Sequence, residues 1–167
     1  SLSEDSDTDL SINSDTGAVT LTTNPDHESQ SEYSFTVIAT DVTGNTSQQP
    51  VSVAINNLDE VAPSITSGDT ATAIDENSGA DQVVYTATAT DDADTSDGFS
   101  FSLADDSLGF SIDADTGEVT TNTDFAANYE DALSQSFTVV ATDVAGNVGV
   151  KTVTVGVTNL DEVAPTI

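Results

Sequence analysis

Of the 167 residues, 30 are Asp or Glu, set against one Lys (Lys151) and no Arg. Carboxylates are thus the one abundant group with chemistry to offer. There is no Cys, and His27 is the single His. Carboxylates act in two ways: as acid–base pairs that move protons, or as oxygen ligands for hard cations. With 30 of them, some pair always stands at a separation suited to glycoside hydrolysis, so that signal is nearly empty. Without a second His or any Cys, nucleophile–base pairs are hardly available. The chain is expected not to be an enzyme, and His27 is expected to face solvent.

Cation binding depends on where the carboxylates cluster. Asp26 and Glu28 flank His27, Asp59 and Glu60 lie in Asn57-Leu58-Asp59-Glu60-Val61-Ala62-Pro63, Asp91, Asp92 and Asp94 form an acidic run, and Asp143 follows a Val-rich stretch. A hard divalent ion takes roughly six to eight oxygens, and flexible carboxylates with backbone carbonyls suit Ca²⁺ better than Mg²⁺. The plain alternative is a generally acidic, salt-adapted surface. Asp5, Asp7, Asp9, Asp105 and Asp106 are expected to be solvated loop charges, and Asp113 and Asp115 to shape a turn.

A formal net charge of −29 opposes compaction, so cations must offset it as a diffuse atmosphere or as bound metal. Nucleic acid is excluded as a partner, because phosphate contacts need Lys and Arg. Anionic membrane surfaces are disfavoured for the same reason. No apolar run approaches the ~20 residues that span a bilayer. With no Trp and three Tyr, aromatic sugar platforms are scarce; Tyr33 and Tyr85 are expected in the core.

The elements that position these residues come as a repeat. Phe35-Thr36-Val37-Ile38-Ala39-Thr40-Asp41-Val42-Thr43-Gly44-Asn45 recurs as Phe137-Thr138-Val139-Val140-Ala141-Thr142-Asp143-Val144-Ala145-Gly146-Asn147, and Asn57–Pro63 recurs as Asn159–Pro165, both offset by 102 residues. Asp15-Thr16-Gly17 recurs at Asp115-Thr116-Gly117. A period near 100 with short strands is the size of one β-sandwich. Val153, Val155 and Val157 alternate with Thr152, Thr154 and Gly156 as in a half-buried strand, as do Phe137, Val139 and Ala141. Further strands are expected near 64–74, 82–90, 99–103, 109–112 and 118–121, which makes seven. Turns are expected at Asp97-Gly98, Asp115–Gly117 and Gly146-Asn147. Nothing long carries helical periodicity; 126–133 forms at most a short turn. Disorder, the alternative at this charge density, is opposed by that regular alternation.

The layout resembles a cadherin repeat, in a bacterial surface-adhesin version. Glu76 in Asp75-Glu76-Asn77 resembles the family's base glutamate, and Asp26-His27-Glu28 and Asn128-Tyr129-Glu130 resemble its DRE motif. Asn57–Pro63 is similar to the DXNDNAP linker, Asp92-Ala93-Asp94 to DXD, and Asp143 to the late aspartate. The departures are Asn57 and Asn128 in place of Asp, and Asp59, Glu60 and Val61 in place of Asn, Asp and Asn. Asp91 leaves the register of the acidic run ambiguous by one residue.

The resemblance implies an all-β, Greek-key immunoglobulin-like sandwich in tandem repeats. Residues 1–57 are expected to be the C-terminal part of one repeat without its first two strands, 58–63 a calcium-binding linker, 64–159 a complete repeat, and 160–167 a linker into the next. The implied ligands for Ca²⁺ are Asp26, Glu28, Asn57, Asp59, Glu60, Asp92, Asp94 and Asp143 at one junction, and Glu76, Glu130, Asp161 and Glu162 toward the next. The implied role is an extracellular spacer or stalk in a long cell-surface adhesin or fibre. Its partners would be neighbouring repeats, neighbouring chains that complete the open first copy, and a cell-surface or glycan ligand. A carbohydrate-binding or homophilic adhesive module is the alternative, although cadherin strand exchange uses a Trp absent here.

Overall fold

A computed structural model describes residues 1–92, 94–95, 98–104 and 109–163. The expectations for Ala93, Asp97, Asp105, Asp106 and residues 164–167 lie outside the described residues. The described residues contain strands and turns and no helix. The chain divides into two compact units, Ser1–Leu58 and Asp59–Ile167.

The first unit holds two hairpins. β1 (Leu10–Ile12) pairs antiparallel with β2 (Val19–Leu21), and β3 (Glu32–Thr40) with β4 (Thr46–Ala54). The β1–β2 turn closes on Asn13, whose Oδ1 accepts the N–H groups of Asp15 and Thr16. Tyr33 and Phe35 are buried on the inner face of β3.

The second unit is a sandwich. It comprises β5 (Ser64–Ile65), β6 (Ile74–Asp75), β7 (Val83–Thr86), β8 (Ala89–Thr90), β9 (Phe99–Leu103), β10 (Phe110–Ile112), β11 (Glu118–Thr121), β12 (Ser134–Asp143) and β13 (Val148–Thr158). One sheet runs β6-β13-β12-β9 and a second β10-β11-β7, with β5 and β8 paired beside them. β6 joins β13 in parallel; the other pairs are antiparallel. Valine alternation makes β13 a one-sided strand, with Val153, Val155 and Val157 facing in beside Phe137, Val139 and Ala141 of β12. The two layers meet through the Phe137 ring, whose centroid lies 4.9 Å from that of Phe110 and 5.8 Å from that of Tyr85.

Two of the expected strands are each divided. The segment 64–74 becomes β5 and β6, which pair with different partners, β8 and β13, because the first strand changes sheets partway along its length. The segment 82–90 becomes β7 and β8 across Ala87, whose N–H donates to Gly117 O while Gly117 N–H turns away to Asp113 O, so the pairing with β11 ends there. Gly117 has φ 70°, and a Cβ there would lie 2.5 Å from Ala87 O, so this turn requires glycine. Asp113 closes the turn by accepting the N–H groups of Asp115 and Thr116.

Candidate metal centre

One end of the second unit gathers Asp59, Asp91 and Asp143, whose carboxylates each place an oxygen within 4.8 Å of the others. Asp143 closes β12. Its Oδ1 accepts the N–H groups of Gly146 (2.6 Å) and Asn147 (2.8 Å), and its Oδ2 accepts Asn147 Nδ2 (2.9 Å). That same Nδ2 donates to the Asp59 carbonyl at 2.8 Å, which ties the segment entering the unit to the β12–β13 hairpin. Burial raises the Asp143 pKa, but these hydrogen bonds outweigh it and hold the carboxyl below its ordinary value.

Asp91 is the unusual member. It follows β8 directly and is buried, and neither carboxylate oxygen has a hydrogen-bond partner in the protein. A buried, unpaired carboxylate carries a large desolvation cost. That burial first, and then the charges of Asp59, Asp143 and Asp92, push its pKa up. A cation held among the three would offset their repulsion and supply the partner that the Asp91 oxygens lack. Carboxylate oxygens throughout, with no His or Cys, fit Ca²⁺ rather than a softer ion.

The other end gathers Glu76, Glu130 and Glu162, again with oxygens within 4.8 Å of one another. Glu76 is fully buried but well satisfied: Oε1 accepts Leu160 N–H (2.7 Å) and Oε2 accepts Tyr129 N–H (2.8 Å). These bonds hold its pKa below the ordinary value against the effect of burial. Asn159 Nδ2 donates to Glu130 at 3.0 Å, and Asn77, at φ 59°, donates to Glu162. This end is also an oxygen cluster fit for a hard cation.

The remaining predicted ligands are placed as follows. Asp26 caps a turn of the first unit, accepting the Ser29 hydroxyl at 2.8 Å and the Glu28 N–H at 3.1 Å, and the Ser29 bonds lower its pKa. Glu28 is exposed and sits 3.4 Å from His27 Nδ1. Asn57 is half-buried at the end of that unit. In the second unit, Glu60 and Asp94 are exposed and bring carboxylate oxygens within 4.8 Å of each other. Asp161 accepts the Val163 N–H at 3.1 Å.

Asp92 is exposed and belongs to neither triad; Asp91 occupies the buried place. A signal for this lay in the sequence. Tyr85, Ala87, Ala89 and Asp91 alternate with Thr86, Thr88, Thr90 and Asp92, and the structure turns the first set inward. Motif matching on Asp92-Ala93-Asp94 passed over that period-two register.

No protein-family model and no curated protein sequence matches the chain. Solved structures do match. The protocadherin GammaB4 extracellular domain is 24% identical with a TM-score of 0.54, covering 97% of this chain and 26% of its own. Protocadherin Gamma B7 extracellular cadherin domains 1–4 are 19% identical with a TM-score of 0.54, covering 92% of this chain and 39% of theirs. The human Desmocollin-1 ectodomain is 24% identical with a TM-score of 0.50, covering 90% of this chain and 30% of its own. The chain therefore spans well under half the length of these structures. At these identities the similarity establishes the fold: an all-β, cadherin-like sandwich.

Proposed function

We propose that the chain is a calcium-rigidified spacer repeat of a long extracellular, cell-surface adhesin or fibre of bacterial type. Its role is mechanical, not enzymatic. The observation that carries this is Asp91, a buried carboxylate with both oxygens unpaired, beside Asp59 and Asp143. A protein bearing a net charge of −29 gains nothing from that crowding unless a cation enters it. Asp59 belongs to the segment that enters the unit, so an ion held there also fixes that segment. Glu60, Asp94, and the first unit's Asp26, Glu28 and Asn57 are the further ligands proposed for this junction. Glu76, Glu130, Asp161 and Glu162 are proposed to serve the next one. The extracellular cadherin-type domains of the structural neighbours support an adhesive setting, with adjoining repeats as the first partners.

The test is small-angle scattering of the 167-residue chain. Calcium should narrow the distribution of interunit distances, and chelator should broaden it while leaving the second unit folded. Superimposable profiles in calcium and chelator would refute the stiffening role.

A further inference from the structure

The Asp59 carboxylate accepts the Val61 N–H at 3.2 Å, so it is oriented by its own segment, and the backbone of that segment is held in turn. The segment from Asp59 to Pro63 is fixed at one end by Asn147 Nδ2, which bonds the Asp59 carbonyl. At the other end Pro63 is buried, and its carbonyl passes directly over Gly149 of β13. A Cβ built on Gly149 would stand 1.9 Å from Pro63 O and 3.1 Å from Pro63 C. Gly149 has ordinary strand geometry and pairs with Ala141, so its backbone does not require glycine. Space is what it provides, since backbone atoms cannot give way as a flexible side chain would.

The repeat supplies a natural comparison. Asn147 has its counterpart in Asn45, which bonds Asp41 as Asn147 bonds Asp143. Gly149 has Ser47 at the matching place, 102 residues earlier in β4. The turn chemistry is thus shared between the copies, while the steric allowance for an overlying segment belongs to the second copy alone.

We propose that Gly149 is a positioning residue: by admitting the Pro63 carbonyl it seats residues 59–63 across the β12–β13 hairpin, and so places the Asp59 carboxylate beside Asp91 and Asp143. This rests on the metal assignment above. Gly149 acts through Asp59 and would touch no ion itself. Its effect on affinity should resemble that of other groups that orient a ligand, a loss on the order of 10–100-fold.

The experiment compares the full chain with Gly149→Ser, Gly149→Ala and Ser47→Gly, using calcium alone as the titrant. Amide shifts are recorded first in chelator and then through the titration. In chelator, Gly149→Ser and Gly149→Ala should shift the amides of Asp59, Glu60, Val61 and Ala62, while those of β9 and β11 stay in place. In calcium, both variants should weaken binding reported at Asp91 and Asp143 by at least about tenfold and leave binding at Glu76 and Glu130 unchanged. Ser47→Gly should do neither. Unmoved segment amides in chelator, or equal affinity at Asp91, would overturn the proposal. Asn147→Ala is the second route to the same displacement should the Gly149 variants disturb β13. Absence of calcium at Asp91 in the parent chain would refute the metal assignment, whereas the chelator spectra would still decide whether Gly149 seats the segment.

Discussion

The β3–β4 and β12–β13 hairpins are nearly the same sequence in two different settings. Phe35, Val37, Val51, Val53 and Ile55 match Phe137, Val139, Val153, Val155 and Val157 position for position. In the second unit the whole set is buried, Val155 completely. In the first, Val53 is 43% exposed, and Val37, Val51 and Ile55 are half-buried. The difference lies in what pairs and covers the hairpin. β12 and β13 are flanked by β9 and β6 and faced by β7, β10 and β11. Among the described residues, β3 and β4 form a two-stranded sheet and the β1–β2 hairpin is the other sheet of that unit; residues 1–7 run along the edge of β3, with Leu2 bridging Val37 and Ser3 N–H donating to Thr36 O, but no strand takes the place of β6 beside β4. Alternation decides which side of a strand faces inward; burial also needs a second layer.

The largest break in this comparison should come from the ring that joins the two layers. Phe137→Ala removes the contacts with Phe110 and Tyr85 and should cost the second unit about 3–5 kcal/mol in a denaturant titration. Next, calcium at a hundredfold excess over its dissociation constant should stabilise the second unit by about 2.7 kcal/mol per site. The melting curve of the 167-residue chain in calcium and in chelator measures this. The matched valines then sharpen the comparison: Val155→Ala should cost about 1.5 kcal/mol for two buried methyl groups, and Val53→Ala within about 0.5 kcal/mol. Equal losses from the two valines would mean that the first unit is as well covered as the second.

These settings also explain how much was legible in the sequence. The Phe-x-Val-x-Ala and Val-x-Val-x-Val patterns gave the inward faces of β12 and β13 directly, because period-two burial is local. The divided strands were not legible, because Ser64–Ile65 and Ile74–Asp75 are distinguished by which sheet each joins, and that depends on distant partners. Exposure of Val53 has the same origin. At the candidate metal centre, motif and spacing name Asp59 and Asp143, and the fold gathers their carboxylates with that of Asp91. Asp91 was obscured by two acidic neighbours of the same residue type, and only its parity with Tyr85 and Ala87 distinguishes it.

The smallest predicted effect is on metal-free stability and depends on pH. The raised pKa of Asp91 means that the folded chain holds this proton to higher pH than the unfolded chain does. Its contribution is therefore present in acid and falls as pH rises through the folded value. Glu76 works in the opposite sense: with its pKa lowered, its contribution is present above the ordinary carboxylate range and is lost as pH falls through the folded value. In chelator at neutral pH, Asp91→Asn should raise the melting temperature slightly, since it removes a buried charge flanked by like charges. The acid-side loss to which Glu76, Asp143, Asp113, Asp41 and Asp26 all contribute should persist. Thermal melts from pH 7 downward check both.

The most direct test of the metal assignment is a calorimetric calcium titration of the 167-residue chain beside Asp91→Asn and Asp92→Asn. If the ion is held by the buried triad, Asp91→Asn eliminates one class of site while Asp92→Asn retains the parent stoichiometry with a modest loss of affinity. Equal stoichiometry and affinity in the parent and Asp91→Asn would contradict the assignment, and loss of the site in Asp92→Asn alone would move it to the exposed run.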